Sequence, residues 1–425
     1  MGIGGVLHNA IFRIPTFENN IYTLNIMPVL ATKNRCTGCG ACGNICPHQA
    51  IEFRKGSDTF LYPEVDPTRC VECRLCEKAC PLVNGELDTL KNKTIEKCYA
   101  MWSEPDRSKS SSGGAFSAIA RIILADGGKV YGAAWGEDNR CQHIGVSSVE
   151  DLSRLRGSKY VQSDIGECFK EIRRELTSGR KVLFTGTPCQ VGGLKSYLRR
   201  TYDNLFTVDI VCHGVPSNHV FQEYLKKLRS EFPQYTPFSQ FEFRNLKGWG
   251  KSPQTIGRKV HHLTGVANSY MLAFDKGNIV RQCCSDCQFN GLKRVSDITL
   301  GDFWGLEDTR FRHDVTKGVS LVLPNSISGE AMLRKLQTKD DVFMEESSLA
   351  VAVKNNHNLT QSSAESECRE SVIADFVDPT VTLRELSRRY RLVDNRLTAR
   401  VKRLLIRTNL FFPTKNIYNK LRRWI

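Results

Sequence analysis

Cys36, Cys39, Cys42 and Cys46, followed by Pro47, are spaced C-x2-C-x2-C-x3-C-P, and Cys70, Cys73, Cys76, Cys80 and Pro81 repeat that spacing. A three-residue period in a tight turn aims successive thiols and backbone N–H groups at one centre. A 4Fe-4S cube needs four thiolates and is tuned by hydrogen bonds to its sulfurs, so the two runs read as two clusters. Gly38, Gly40 and Gly43 interleave the first run, where the backbone must wrap closely, and each proline ends its loop. The competing reading is a pair of structural zinc sites, which usually draw on two separated C-x2-C pairs.

These eight belong to a set of 17 cysteines, most of them in short-spaced groups and not scattered as a secreted disulfide framework would be. A reducing compartment follows. No segment, Met1–Leu30 included, has the apolar run that a signal peptide or membrane span needs, so the expected location is the cytoplasm. The formal charge is +15, but Val381–Ile425 holds 13 Lys/Arg against 2 Asp/Glu, a net +11, leaving +4 for the rest. Nucleic acid is not expected, because no binding motif accompanies the charge. Leu397, Val401, Leu404 and Leu405 fall at helical spacing among Arg400, Lys402, Arg403 and Arg407, and Leu410, Phe411, Phe412 and Trp424 follow. Such a tail either lies on the anionic inner face of a membrane or docks on the protein body with a solvated basic face.

A chain of 425 residues accommodates a small module and a larger domain. The expected divisions are an extension (1–32), the cysteine-dense module (33–84), a polar connector (Asn84–Lys97), a larger domain (98–350) and the basic tail (380–425). In the larger domain, apolar runs at Tyr131–Trp135, Val182–Thr185 and Leu205–Val211 read as strands. They alternate with helical patterns at Gly114–Leu124, Ile165–Leu176 and Gln190–Leu198, which suggests an α/β domain with βαβ-like units. Further candidate strands, Ser239–Arg244, Asp297–Leu300 and Val319–Leu323, stand among irregular Gly-rich segments.

Several groups in this domain invite chemistry. Ser111–Gly114 is a small-residue turn that either offers N–H groups to a pyrophosphate or simply caps the helix it opens. Lys159, Tyr160 and Ser163, next to Gly157 and Ser158, supply a cation, a ring and hydroxyls, or else form a solvated turn. No G-x-G-x-x-G follows a strand, so a Rossmann site is not indicated. Cys189 is expected at a helix N-terminus, where a thiol is readily a thiolate. Cys212 follows the next strand, and strand ends in a parallel sheet share one edge, so these two converge. Cys284 and Cys287 add a C-x2-C pair, with Cys283 adjacent. Buried structural thiols, a redox-active pair or zinc are the competing readings. Cys98, Cys141, Cys168 and Cys368 read as ordinary thiols, and His213 as structural or a cofactor contact. Asp297–Gly305 brings Phe303 and Trp304 as a pocket wall, or Asp302 only caps a turn. No nucleophile, acid-base dyad or triad is evident.

The paired cysteine runs resemble bacterial ferredoxins, in which the fourth cysteine of each run reaches the other cluster. On that pattern Cys36, Cys39, Cys42 and Cys80 hold one cluster and Cys70, Cys73, Cys76 and Cys46 the other. Ser111-Ser-Gly-Gly-Ala-Phe116, Val130-Tyr-Gly-Ala-Ala134, Arg156-Gly-Ser-Lys-Tyr-Val-Gln-Ser163, Val182-Leu-Phe-Thr-Gly-Thr-Pro-Cys-Gln190, Val208-Asp-Ile-Val-Cys-His-Gly-Val-Pro-Ser217 and Ser296-Asp-Ile-Thr-Leu-Gly-Asp-Phe-Trp-Gly305 together resemble the beta subunit of coenzyme F420-reducing hydrogenase and dehydrogenase, fused behind a ferredoxin module. The resemblance implies an α+β ferredoxin-like module followed by a mixed α/β flavin-binding domain. It implies FAD held around Ser111, Ser112, Gly113, Gly114, Ser158, Lys159, Tyr160 and Ser163. A third 4Fe-4S cluster on Cys189, Cys212, Cys284 and Cys287 follows from the family's cysteine positions. The implied function is a flavin-dependent iron-sulfur oxidoreductase that couples hydride chemistry at FAD to single-electron transfer. Its implied partners are ferredoxin or a larger oxidoreductase, and a deazaflavin or other two-electron substrate. Relatives act on chlorophyll pigments or in polysaccharide biosynthesis, so the substrate stays open. The alternatives are a non-catalytic electron-transfer subunit docking on a partner enzyme and a binding module without flavin.

Overall fold

The computed structural model describes residues 27–94, 96–137, 139–244, 253–306, 309–393 and seven separate positions between 401 and 417. Most of the expected N-terminal extension, and the membrane or docking reading of the tail, lie outside the described residues.

In the N-terminal module an antiparallel pair, β1 (Ile51–Lys55) and β2 (Leu61–Val65), separates two cysteine loops, each opening a short helix, α1 (Ala41–Ile45) and α2 (Leu75–Lys78). Both loops turn through left-handed backbone at the same two places. Gly38 and Gly40 do so in the first run (φ +67° and +78°), and Glu72 and Arg74 in the second (+54° and +55°). Two non-glycine residues accept this conformation, which costs roughly 1–2 kcal/mol each. The loop geometry is thus set by something stronger than local preference.

The body is built on an eight-stranded sheet of β3 (Cys98–Ser103), β4 (Lys129–Trp135), β5 (Cys141–Val146), β6 (Val182–Gly186), β7 (Leu205–Ile210), β11 (Ile298–Asp302), β12 (Ser320–Pro324) and β13 (Val342–Ser347). The spatial order is β13-β3-β12-β11-β7-β6-β4-β5. β4, β6, β7 and β11 pair in parallel, while β5 on one side and β12, β3 and β13 on the other pair antiparallel. A separate antiparallel sheet contains β8 (Phe238–Glu242), β9 (Gln254–Gly257) and β10 (Val260–His262). Every expected strand exists within two residues of its bounds. β3, β5 and β13 were not read from the sequence, and they pair antiparallel at the flanks of the parallel core.

Between module and body, α3 (Leu87–Leu90) lies in the connector and α4 (Glu104–Arg107) follows β3. α5 (Ala115–Ala125), α6 (Cys168–Thr177) and α7 (Pro188–Leu198) connect strands of the eight-stranded sheet, and α8 (Asn218–Glu231) leads from β7 to the separate sheet. Strand alternation divides the core between the two faces. Leu183 packs with Ala118, Ile119 and Ile123 of α5, whereas Val182 and Phe184 pack with Phe169 and Ile172 of α6 and Val191 and Leu194 of α7. Cys39, Ala41 and Leu82 join that second cluster. The module is therefore docked on α6 and α7, and the connector is no free linker, since Asn92 donates through Nδ2 to Ser296 O (2.7 Å) and through N to Arg294 O (2.8 Å).

The parallel arrangement has a positional consequence. The C-terminal ends of β4, β6, β7 and β11 share one edge, where Trp135, Thr187–Cys189, Cys212 and Asp302 are found.

Two expectations follow from this packing. A Cβ at Gly113 would meet Met101 O at 2.2 Å and Ser320 N at 2.7 Å. Gly113→Val is expected to cost about 1–3 kcal/mol, seen as a lower thermal midpoint; an unchanged midpoint contradicts the close approach of Gly113 to β3 and β12. His143 on β5 lies against Phe184, accepts from Ser163 Oγ (2.7 Å) and donates to Thr185 O (2.9 Å). Burial pushes its pKa from 6.5 down to about 4. The folded state then binds fewer protons than the unfolded one, so this contribution to stability is full above pH 6.5 and is lost as pH falls towards 4. His143→Asn should flatten denaturant midpoints across that window relative to the unaltered protein; parallel profiles would contradict a buried neutral imidazole.

Candidate iron-sulfur and redox centres

The eight thiols of the N-terminal module divide between two cavities. One is lined by Cys36, Cys39, Cys42 and Cys80, and the other by Cys46, Cys70, Cys73 and Cys76. In each, three thiols come from one run and the fourth from the other, the crossed grouping that the ferredoxin resemblance implies. Phe53, Pro63 and Leu82 complete the first wall. The second opens to solvent at Cys73, which is exposed.

Electrostatics shows what these rings require. Burial pushes the Cys39 thiol up to about 12, with Cys80 and Cys36 adding to the shift, and burial followed by Cys39, Cys36 and Cys80 raises Cys42 further. Burial raises Cys76 to about 11, and Cys46 contributes. Thiolates this close hold their charge only around a cation, which is the condition an iron-sulfur core meets. Backbone donors are in place, with Ala50 N 3.3 Å from Cys46 Sγ and Glu72 N 3.5 Å from Cys70 Sγ. Among the described residues no three His, Cys, Asp or Glu converge as ligands of a single ion would. A cube keeps its four thiolates farther apart than one tetrahedral zinc, whose Zn–S bonds are about 2.3 Å. The donor set fits two 4Fe-4S clusters.

A third group of thiols forms at the C-terminal edge of the sheet. Cys189 sits in the first turn of α7, behind a capping box in which Thr187 N donates to Gln190 Oε1 (3.0 Å). Cys212 follows β7 and accepts from Gly214 N (3.4 Å), and Cys284 and Cys287 arrive on the loop after Arg281. The four are near enough for their charges to interact: Cys212, Cys287 and Cys284 all act on Cys189, and Cys284 and Cys287 on Cys212. The expectation that the helix N-terminus makes Cys189 readily a thiolate is reversed. Burial dominates and pushes its thiol well up, and Cys212 rises to about 12 for the same reason.

Two buried arginines flank this group, and neither was read from the sequence, because an isolated arginine carries no spacing signal. Arg294, 2% exposed, acts electrostatically on Asp209, Cys212 and Cys287. Among the described residues its Nε and Nη2 find no hydrogen-bond partner, although Nη1 donates to Phe289 O (3.4 Å). A guanidinium buried with two unspent donors beside thiols is suited to an anionic group among them. Arg281, 1% exposed, lies between Cys284 and Cys36.

The residues expected around FAD gather at the same edge. Ser158 N donates to Ser111 Oγ (2.9 Å), joining the two segments. Much of their polar capacity is spent inside the protein. Ser112 Oγ donates to Val319 O (3.0 Å), Ser163 Oγ meets His143, and Lys159 Nζ donates to Arg156 O (2.8 Å), with burial lowering the Lys159 pKa to about 8. Gly113 and Gly114 are buried, the first against Met101 of β3 and Ser320 of β12, the second against Asp106 and Arg107 of α4. Tyr160 lies edge-on to Phe243 (5.4 Å) and near Phe274 (5.1 Å), while Arg244 binds Asp302 through Nη1 (2.6 Å) and Nη2 (3.2 Å). Asp302 thus anchors an arginine at the end of β11. His213 bonds Asn358 Oδ1 through Nδ1 (3.0 Å) and has its ring against Phe274.

Crossed grouping has a genetic signature in iron content. Cys36→Ser and Cys80→Ser should each remove about four iron atoms per chain, and the double variant no more than either single one. Cys46→Ser combined with Cys80→Ser should remove about eight. The reverse pattern, with Cys36 and Cys80 additive, contradicts the crossed arrangement.

Comparison with known proteins follows the same division. The 4Fe-4S dicluster domain profile matches residues 35–83, and the profile for the C-terminal part of the coenzyme F420 hydrogenase/dehydrogenase beta subunit matches residues 179–348. The F subunit of the F(420)H(2) dehydrogenase of Methanosarcina mazei is 24% identical over 206 residues, 45% of this chain and 58% of that protein. The coenzyme F420-dependent sulfite reductase of Methanocaldococcus jannaschii is 27% identical over 199 residues, 45% of this chain and 29% of that protein. An uncharacterized protein of the same organism, MJ1349, is 24% identical over 342 residues, 71% of this chain and 86% of that protein. The chain thus spans little more than half of the first relative and less than a third of the second. Over residues 35–83 and 179–348 the chain has the sequence of a 4Fe-4S dicluster domain followed by the C-terminal part of the coenzyme F420 hydrogenase/dehydrogenase beta-subunit family.

Proposed function

We propose that the protein is an iron-sulfur flavoprotein oxidoreductase that relates electron pairs at FAD to single electrons on three 4Fe-4S clusters, with a reduced deazaflavin of the F420 type as its two-electron substrate. The observation that carries this reading is the alignment of sulfur along α7. Cys189 and Gly193 are four residues apart and therefore share one helix face. Cys39 Sγ lies 2.8 Å from the Cβ position that glycine leaves empty at 193. One helical turn, about 6 Å of rise, thus separates the third thiol group from the first ferredoxin ring.

Bound flavin supplies the exchange between hydride pairs and single electrons. The chain's own part is to wall and orient. Half-buried Tyr160, backed by the buried rings of Phe243 and Phe274, offers an aromatic wall, the Arg244–Asp302 pair a fixed cation, and the half-buried Ser111, Ser112 and Ser158 the remaining polar groups. The Cys73 side of the module, open to solvent, is where a redox partner would exchange single electrons. The names of the F420-dependent relatives support the deazaflavin.

Anaerobic purification with iron and flavin quantitation, followed by titration with reduced F420, tests this. About twelve iron atoms and one flavin per chain are expected, with cluster signals appearing as reduced F420 is added. About eight iron atoms and no extractable flavin would overturn it. Full cofactor content with no response to reduced F420, but reduction by a partner such as ferredoxin, would favour the non-catalytic electron-transfer subunit.

A further inference from the structure

Arg281 is a fully buried cation whose hydrogen bonds reach no carboxylate. Its Nε donates to Cys36 O (2.6 Å), Nη1 to Gln162 Oε1 (3.1 Å) and Nη2 to Leu61 O (2.9 Å), with Cys36 Sγ 3.6 Å from Nη2. The faces of Tyr62 and Phe60 lie 4.4 and 5.3 Å from the guanidinium carbon. The first cysteine loop is shaped to admit it, since a Cβ on Gly38 would stand 2.8 Å from Nη1. At its other end the residue is tied to the third thiol group, for Cys284 N donates to Arg281 O (2.9 Å). Among the described residues no acidic side chain is within ion-pair distance, and the groups that act on its charge are the sulfurs of Cys36, Cys283 and Cys284 and the Tyr62 phenol.

An unpaired buried cation is strongly unfavourable, and breaking a buried pair leaves the other charge uncompensated. Here the compensating negative charge would come from the thiolates that hold the clusters. Adding an electron to a cluster increases its negative charge, and a guanidinium in a weakly polar interior favours the reduced form.

We propose that Arg281 is a positioning residue that electrostatically links two clusters, the one held by Cys36, Cys39, Cys42 and Cys80 and the one held by Cys189, Cys212, Cys284 and Cys287, raising the reduction potential of both. It leaves the cluster of Cys46, Cys70, Cys73 and Cys76 unaffected, because its hydrogen bonds go to Cys36, Gln162 and Leu61 and to none of those four thiols. The link rests on the three-cluster reading of the chain.

The test is a redox titration of anaerobically purified full-length protein, followed by electron paramagnetic resonance, comparing the unaltered chain with Arg281→Gln and Arg281→Lys. The couple of the outer cluster is assigned by its loss in Cys73→Ser. Arg281→Gln is expected to shift two couples to lower potential and leave the outer one in place. Arg281→Lys, which keeps the charge, is expected to shift the same two in the same direction by less. With iron still at about twelve atoms per chain, unmoved couples, or an outer couple that moves equally, overturn the link. Should Arg281→Gln lose iron, Arg281→Lys decides. Retention of all three clusters with near-native potentials supports the charge, and loss of iron there as well overturns it in favour of a packing role. If the unaltered chain holds only about eight iron atoms and shows no third couple, the three-cluster reading itself fails, and the link with it.

Discussion

Thiolates gathered in a buried space repel one another, and the protein is organised around that constraint. Each ferredoxin ring collects four sulfurs that burial and mutual charge drive towards the neutral form, as the raised Cys39, Cys42 and Cys76 thiols show. Multivalent cations among them would make the charged arrangement favourable, which links iron binding to the folding of the module. Residues that would otherwise resist their backbone angles, Glu72 and Arg74, comply because the ring demands it.

From that constraint follows the docking of module on body. The first ring is pressed against α7 at Gly193, and Gln162 Nε2 donates to Thr37 O (2.9 Å) while Arg369 pairs with Asp58 (2.8 Å). Asn44 Nδ2 reaches Gly166 O (2.8 Å), and Thr59 and Ser217 share a hydrogen bond at 2.6 Å. These contacts hold the first ring in a fixed position against the body. The parallel strands then do for the body what the cysteine loops do for the module. They bring Cys189, Cys212 and Asp302 to one edge, beside the segments expected to meet flavin.

Much of this was legible in the residues, for identifiable reasons. A ligand loop is local, so its spacing alone indicated two clusters, and buried parallel strands such as Val182–Gly186 are nearly continuous apolar runs. β3, with Cys98 and Trp102, and β13 were missed because their pairing partners are far away in the chain. The convergence of Cys284 with Cys189 depends on the same kind of long-range closure, and the residues suggested it only through family likeness. Cys189 shows the limit of local argument: the helix N-terminus favours a thiolate, but burial outweighs it. Lys159 shows the converse, a cation read as available that is spent on carbonyls of its own loop. Arg281 and Arg294 had no signature at all, since their roles lie in what surrounds them.

The most direct measurement of the central claim is Mössbauer spectroscopy of anaerobically purified protein grown on isotopically enriched iron. The account requires that essentially all bound iron appear as valence-delocalised iron of cubane clusters, with loss of module structure when the iron is chelated. Metal present as zinc or as isolated mononuclear iron, in a module that keeps its fold, would contradict it.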